Sequence, residues 1–140
     1  MPRRVRWIGS LVVPVGPDRA WALFSEVADW SRWDRLGSAD ARWVGEPGWA
    51  PGHIVRNGHR PFTFDCEVLR VDPPHEVAWR GRGVGTTGTH VFRFLPHAEG
   101  CLVESDEVFE GFLVPVMRPL VRWYWRRHLT SFRRWCALHG

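Results

Sequence analysis

The sequence contains no lysine and no glutamine, and Asn57 is its only asparagine. All 19 residues in the combined lysine and arginine count are therefore arginine, and the formal net charge is +4 at pH 7. The absence of lysine and glutamine and the single asparagine are typical of a gene with GC-rich codon usage. They do not indicate selection for binding to nucleic acid. We therefore expect no nucleic-acid partner.

Cysteine is also scarce and is not arranged in pairs. Cys66, Cys101 and Cys136 show no CxxC spacing, which argues against a zinc site and against a disulfide framework. No apolar run approaches the roughly 18 residues of a membrane span, and the first residues carry no signal-peptide cleavage pattern. These features predict a cytoplasmic protein with no stable membrane insertion.

Several catalytic and cofactor motifs are missing. None of the serines lies in a GxSxG context, so serine hydrolase chemistry has no support. The glycine-rich stretch 81–90 is followed by a strand pattern rather than a helix, which predicts a flexible hairpin turn instead of a phosphate-binding loop. His90, Glu107 and His128 are a weakly supported metal alternative, because they lack a local ligand spacing such as HExxH. We expect neither a metal nor a cofactor, and nothing indicates the oligomeric state.

The longest regular feature is the stretch from Leu113 to Leu138, which predicts an amphipathic helix. Pro115 and Pro119 suggest that this helix begins between them, because proline is tolerated in the first turn. At about 100° per residue the opposite side of the helix collects six arginines. The apolar side is expected to hold Leu113, Met117, Leu120, Val121, Tyr124, His128, Phe132, Trp135 and Leu138.

The rest of the chain predicts a sheet that this helix can cover. Residues 4–15 form a strand pattern, and residues 20–33 have helical spacing, with Asp18 as a possible cap. From Ala41 to Glu110 six runs of near-alternating polarity are separated by turn signals, which predicts an antiparallel meander. The expected fold class is α+β, in one domain over residues 1–140.

This order of elements resembles a known superfamily. Together with the segments VPVGPDRAWALFSEVADWSRW, VLRVDPPHEVAW and THVFRFLPHAEGCLV, it is similar to the START-like, Bet v 1-like superfamily, and within it to bacterial polyketide cyclase/dehydrase-type (SRPBCC) proteins. The resemblance implies a helix-grip fold: a curved antiparallel sheet of about seven strands, with two short helices after the first strand, wrapped around a long C-terminal helix. It also implies a hydrophobic cavity between sheet and helix, but no particular reaction.

Strand alternation selects the residues that face this cavity. The expected inward sets are Phe62, Phe64, Cys66 and Val68; Val77 and Trp79; His90, Phe92 and Phe94; and Val103, Ser105, Glu107 and Phe109. Either His53 or Arg56 faces inward on the strand before them, since its register is ambiguous. The candidate ligand-binding residues are Phe62, Phe64, Trp79, Phe92, Phe94, Ser105, Met117, Val121, Tyr124, His128 and Phe132.

Four polar residues on this apolar wall are candidates for catalysis: His90, Glu107, Tyr124 and His128. A buried carboxylate is costly unless it is paired, so Glu107 is expected to pair with His90 or His128. Such a pair suits general acid–base chemistry, in which histidine takes a proton next to a carbonyl and tyrosine supports the enolate oxygen. The alternative is a polar patch that only orients a ligand or satisfies itself.

The leading hypothesis is a binder of a hydrophobic small molecule, such as a lipid, polyketide or aromatic compound. The alternative is a cyclase, aromatase or dehydratase that uses the same cavity. A third option is contact of the arginine face with a membrane or protein, although a solvated helix face explains it more simply. Trp30, Trp33, Trp43 and Trp49 are expected at the cavity mouth, and Trp123 is expected to pack on Arg126 or Arg127.

Overall fold

The structure, a computed structural model, describes residues 3–140. Its strands are β1 (Arg4–Val13), β2 (Arg42–Val44), β3 (Ile54–His59), β4 (Phe62–Asp72), β5 (Glu76–Gly83), β6 (Thr86–His97) and β7 (Gly100–Glu110). Its helices are α1 (Pro17–Ser25), α2 (Trp30–Trp33) and α3 (Val114–His139), with a 3₁₀ turn at Val27–Asp29. Within residues 3–140, no helix is both long and apolar enough to cross a membrane.

The seven strands form one antiparallel sheet in the order β1-β7-β6-β5-β4-β3-β2. Consecutive hairpins build the meander from β2 to β7, and β1 closes it by pairing with β7. The long helix α3 packs against this sheet most extensively at β1. The expected α+β helix-grip architecture is therefore confirmed.

The strand register places one row of large side chains across the middle of the sheet. Trp7 of β1 lies opposite Glu107 of β7, Glu107 opposite His90 of β6, and His90 opposite Trp79 of β5. These residues share the face that α3 covers, because side chains alternate between the two faces of a strand. The predicted inward positions of Trp79, His90 and Glu107 are confirmed by their burial.

The buried face of α3 differs from the predicted one. Trp125, Leu129 and Cys136 are buried, whereas Leu120 and Leu138, expected inside, are exposed. The prediction is confirmed for His128 and Phe132, which are buried, so the buried side is the predicted one rotated toward Trp125, Leu129 and Cys136. The helix begins at Val114 and not between Pro115 and Pro119 as predicted, so Pro115 lies in its first turn and Pro119 lies inside it.

The predicted helix over residues 20–33 is divided into α1, the 3₁₀ turn and α2. The indole nitrogen of Trp30 donates a 2.7 Å hydrogen bond to the Phe24 carbonyl, which satisfies an acceptor at the end of α1. Gly16 stands at the N-cap of α1, and no side chain, including that of Asp18, caps it. Aromatic side chains of both helices, Phe24, Trp30 and Trp33, enter the core.

One further prediction about the sheet is wrong, and the hairpin turn predicted in the glycine-rich stretch is present but shorter than expected. Phe62 is 79% exposed, because it begins β4 at a hairpin beyond the edge of the core, where alternation no longer determines burial. Most of the glycine-rich stretch belongs to β5 and β6, which leaves a tight turn at Val84 and Gly85. Gly85 has φ of +65°, a conformation that glycine adopts without strain.

Aromatic side chains fill the space between the sheet and the helices. Phe24 is the centre of this cluster, with its ring centroid 4.7 Å from that of Phe92 and 5.3 Å from that of Trp30. Trp30 and Trp33 are buried within it, so the expected position of these two residues at a cavity mouth is wrong. Contacts of this kind contribute about 0.5–1.5 kcal/mol each beyond the burial of area.

Candidate functional site

A single carboxylate oxygen organises the first of two buried polar clusters. Oδ2 of Asp34 accepts hydrogen bonds from the hydroxyls of Ser38 and Tyr124, both at 2.7 Å, and from Nδ1 of His128 at 2.8 Å. Ser38 Oγ also lies 2.8 Å from Oδ1 of Asn57 on β3. The Asp34 cluster therefore joins α3 to the segment after α2 and to the sheet.

The charge on Asp34 is maintained by its partners. Burial alone raises the pKa of this carboxyl, but the positive charge of His128 and the hydrogen bonds from His128, Ser38 and Tyr124 outweigh burial. The net effect lowers the pKa of Asp34 to about 2. Burial, followed by the charge of Asp34, raises the pKa of Tyr124 well above its usual value, so its proton stays on the hydrogen bond to Asp34.

The second cluster lies on the central row of the sheet. Nε2 of His90 and Oγ of Ser105 form a 2.7 Å hydrogen bond, and Nδ1 of His90 lies 3.7 Å from Oε2 of Glu107. All three side chains are buried. The expected proximity of Glu107 and His90 is confirmed, while His128 pairs with Asp34 instead.

Burial favours the uncharged form of both titratable members of the His90 cluster. It raises the pKa of Glu107 well above its usual value, and the nearby Trp125 indole opposes this only in part. Burial also lowers the pKa of His90 well below its usual value, and the charge of His128 adds to the effect. Both shifts favour the state in which a carboxylic acid lies beside an uncharged imidazole.

Trp125 of α3 lies between the two clusters. Its ring centroid is 4.2 Å from that of His90 and 5.1 Å from that of His128. Neither Nε1 of Trp125 nor Oε2 of Glu107 has a hydrogen-bond partner of good geometry among the described residues, and both atoms are buried. A buried donor and a buried acceptor thus lie close together without a well-formed hydrogen bond, although the Trp125 indole is near enough to lower the pKa of Glu107 in part.

The structure divides the four candidate catalytic residues between these clusters. His128 and Tyr124 form hydrogen bonds with Asp34, whereas His90 and Glu107 lie together in the cluster on the sheet.

Within residues 3–140 no three histidine, cysteine, aspartate or glutamate side chains are grouped as metal ligands, so the metal alternative gains no support. Sequence analysis did not select Asp34, Ser38 or Trp125. The signal for Asp34 was indirect: two polar groups one turn apart on a buried helix face need an acceptor.

The candidate ligand-binding residues occupy several environments. Trp79, Phe92, Phe94 and Phe132 are buried in the core, and Phe64 is half-buried. Met117 accepts a 3.6 Å contact from the Thr86 hydroxyl through its sulfur. The ambiguous register of β3 is settled for Arg56, which pairs with Asp65 at 2.7 Å on an exposed face.

Two clefts open on the surface near α3. The smaller, of about 200 Å³, is lined by residues that include Trp7, Phe109 and Val121. The Trp7 ring stacks on Trp125 at a centroid distance of 6.2 Å, and Trp125 contacts His90, so two aromatic rings connect this cleft with the His90 cluster. The larger, of about 730 Å³, shares no lining residue with either cluster; it is lined by Val12, Pro14, Glu99, Thr130, Arg133, Arg134 and Ala137.

The sequence matches a family described as "Polyketide cyclase / dehydrase and lipid transport" over residues 8–135. The chain belongs to this family. It is a START-like, SRPBCC protein, as the sequence resemblance implied. A comparison with curated proteins gives no match.

Solved structures of the same fold come from plants and bacteria. Norcoclaurine synthase from Thalictrum flavum, in complex with dopamine and hydroxybenzaldehyde, superposes with a TM-score of 0.75 at 15% identity, covering 98% of this chain and 88% of the synthase. A structural-genomics protein from Chromobacterium violaceum gives 0.71 at 15% identity, with 97% and 98% covered. Another from Mesorhizobium loti gives 0.72 at 14% identity, with 93% and 95% covered. At such low identity these likenesses establish the Bet v 1-like fold alone.

Proposed function

We propose that this protein binds a small apolar molecule that carries one hydroxyl or carbonyl group. The polar end of the molecule meets Glu107 and Trp125, between the sheet and α3. The observation that carries this proposal is that two neighbouring buried atoms, Oε2 of Glu107 and Nε1 of Trp125, have no hydrogen bond of good geometry.

A buried polar group without a hydrogen-bond partner lowers the free energy of unfolding. Each such donor or acceptor destabilises a fold by about 1–3 kcal/mol, and native structures contain few of them. A ligand hydroxyl or carbonyl supplies the missing partner for one or both atoms. An indole donates only, whereas a neutral carboxylic acid both donates and accepts, so together they suit either ligand group.

The 200 Å³ cleft supports an entry route past Trp7. Trp7 is half-buried, lies opposite Glu107 in the strand register and stacks on Trp125. The absence of a side chain at Gly9 lets the indole lie along β1, because a Cβ there would overlap the Trp7 ring. Movement of this single ring connects the cleft with the two unpaired atoms.

The surrounding side chains favour a flat, unsaturated ligand. His90 contacts Trp79 and Phe92 at centroid distances of 4.8 and 4.2 Å, and Val121 lines the cleft. Aromatic walls prefer stacked or edge-on contact with other π systems. An aromatic compound or a cyclised polyketide meets these requirements, in keeping with the description of the family.

A matched pair of ligands tests the proposal. Naphthol and methylnaphthalene have nearly the same shape but differ in the polar group. Titration calorimetry on the intact chain should show naphthol binding about tenfold more tightly, because only naphthol satisfies the buried atoms. Trp125→Phe and Glu107→Leu should each reduce this preference, whereas equal affinities for the wild-type protein contradict the proposal.

A second candidate function, catalysis, is favoured by the opposed pKa shifts of Glu107 and His90. An acid and a base whose environments hold them neutral and 3.7 Å apart suit proton transfer next to a carbonyl. Glu107 would donate its proton to the carbonyl oxygen while His90 removes the proton from the adjacent carbon. His128 and Tyr124 would then act as positioning residues, since Asp34 already engages both.

Deuterium exchange separates this enzyme from a simple binder. The methyl protons of acetonaphthone, followed by NMR in D₂O, should exchange faster with the protein than with buffer. His90→Gln should remove the acceleration while the ketone still binds. Exchange at the buffer rate, with binding demonstrated, rejects the catalytic function and leaves the binding function in place.

A further inference from the structure

We propose that the outer face of α3, formed by Val116, Leu120, Trp123, Arg126 and Arg127, docks on an anionic phospholipid surface. This face points away from the sheet and takes no part in the interior site. The proposal is therefore independent of the ligand proposed above. It assigns a second surface of the molecule to a partner of defined chemistry.

The charge of α3 is of one sign. The helix contains six arginines and no aspartate or glutamate. None of the six takes part in an ion pair within residues 3–140, although arginines of the sheet such as Arg6, Arg56 and Arg93 do. Unpaired surface arginines attract lipid phosphates and carboxylates within a Debye length.

Apolar side chains stand between these charges. Val116, Leu120 and Trp123 are 78%, 63% and 52% exposed. They are four and three residues apart, which places them on one line along the helix. The guanidinium of Arg127 lies 5.7 Å from the Trp123 ring, so the charge and the ring reach the surface together.

The apolar line continues beyond the start of the helix. Phe112 and Val84 are both exposed, and Phe112 packs over Gly85 in the turn between β5 and β6. At the other end of α3 the exposed residues Arg133 and Arg134 extend the basic surface. The N-terminal end of α3 is thus suited to contact with the boundary of the lipid acyl chains, and the C-terminal end is suited to contact with the lipid headgroups.

This combination favours a lipid surface over a nucleic acid. A phosphate backbone requires cations but gains nothing from exposed valine, leucine and phenylalanine, whereas an interfacial helix buries such residues below the headgroups. The helix lies on the surface rather than crossing it, since within residues 3–140 no helix is apolar enough to span a bilayer.

Vesicle flotation tests the docking face. The full chain should float with vesicles of equimolar phosphatidylcholine and phosphatidylglycerol, remain behind with phosphatidylcholine alone, and lose binding as salt is raised. Arg126→Glu with Arg127→Glu should weaken binding at least about tenfold. Leu120→Ser should weaken binding to anionic vesicles without changing its dependence on salt.

A matched control carries the same change in charge on the sheet. Arg80→Glu with Arg82→Glu alters two exposed arginines outside α3 and should retain most of the binding. Equal loss in the control, or no flotation of the wild-type chain with anionic vesicles, overturns the proposal. If the wild-type chain binds polyuridylic acid but not vesicles, and the α3 variant loses that binding, the face belongs to a nucleic-acid site. That result also overturns the proposal. The naphthol titration is unaffected by these outcomes, so the two proposals fail separately.

Discussion

Nδ1 of His128 lies 2.8 Å from Oδ2 of Asp34, although the two residues are 94 positions apart in the chain. The same oxygen accepts the hydroxyls of Tyr124 and Ser38. One carboxylate therefore bonds to two side chains that lie one turn apart on the inner side of α3. By fixing Tyr124 and His128, it also fixes the position of Trp125 between them.

Asp34→Asn should lower the free energy of unfolding by about 2 kcal/mol at neutral pH, because it removes the charge that three donors share. The pKa of Asp34 is about 2 in the folded state, whereas an ordinary aspartate has a pKa of 3.8. As pH falls, the unfolded chain takes up this proton first, so the stabilisation is present above pH 3.8 and is lost toward pH 2. Urea denaturation at neutral pH and at about pH 3 should show the difference shrinking.

Asp29→Asn is the matched control, since Asp29 makes a 3.4 Å ion pair with Arg32 on the surface next to α2. Such a pair contributes about 0–1 kcal/mol. An equal loss from both substitutions would show that Asp34 has no special role in stability.

Gly37→Ala should destabilise the protein by about 2–4 kcal/mol, because a Cβ at this position would overlap the phenol of Tyr124. Thermal unfolding measures the loss. Gly16→Ala is the control: Gly16 has φ of −68°, and nothing lies within 4 Å of its Cβ position. Tyr124→Leu in the Gly37→Ala background should cost less than the sum of the separate changes, and strict additivity would contradict the overlap.

Glu107→Gln should stabilise the protein increasingly as pH rises from about 5 to 8, measured by denaturation across that interval. Burial raises the folded-state pKa of Glu107 well above 4.5, the value of an ordinary glutamate. The unfolded chain therefore releases this proton first, and wild-type stability falls with rising pH. Glutamine has no proton to release and removes the slope. An unchanged slope would contradict the neutral state of Glu107.

Asp106→Asn, at the neighbouring position of β7, provides the opposite case. The hydrogen bond from Arg6, at 2.8 Å, lowers the pKa of Asp106 despite partial burial. The stabilisation that ionised Asp106 gives the fold is complete above 3.8, the pKa of an ordinary aspartate. The effect of Asp106→Asn on stability should therefore stay constant from about pH 5 to 8.

Tyr124→Phe should reduce the free energy of unfolding by about 1 kcal/mol, the usual contribution of one hydrogen bond. Naphthol affinity should remain within about twofold of wild type, because the hydroxyl is committed to Asp34 rather than to a ligand. Denaturation and calorimetry on the same preparation check both expectations. A large loss of affinity with unchanged stability would return Tyr124 to the binding site.

Much of the fold could be predicted from local patterns. Alternating polarity from β4 to β7 identified the strands within a few residues and placed His90, Phe92 and Glu107 inside, because the side-chain period of a strand is fixed at two. The helical period likewise identified the stretch that forms α3, with its C-terminal end to within one residue, although the prolines wrongly placed its start between Pro115 and Pro119. Local periodicity is a property of consecutive residues, so the sequence contains it in full.

The partners of the polar groups were decided by tertiary structure. Asp34 lies in a short segment after α2 that has no periodic signal, and only the packing of that segment on α3 brings it to His128. The same packing turned Trp125 inward and left Leu120 in solvent, although both lie on the same helix. Local sequence determined which residues were available as helix and strand faces. Which face met which, and so which buried atoms found partners, depended on contacts between residues far apart in the chain.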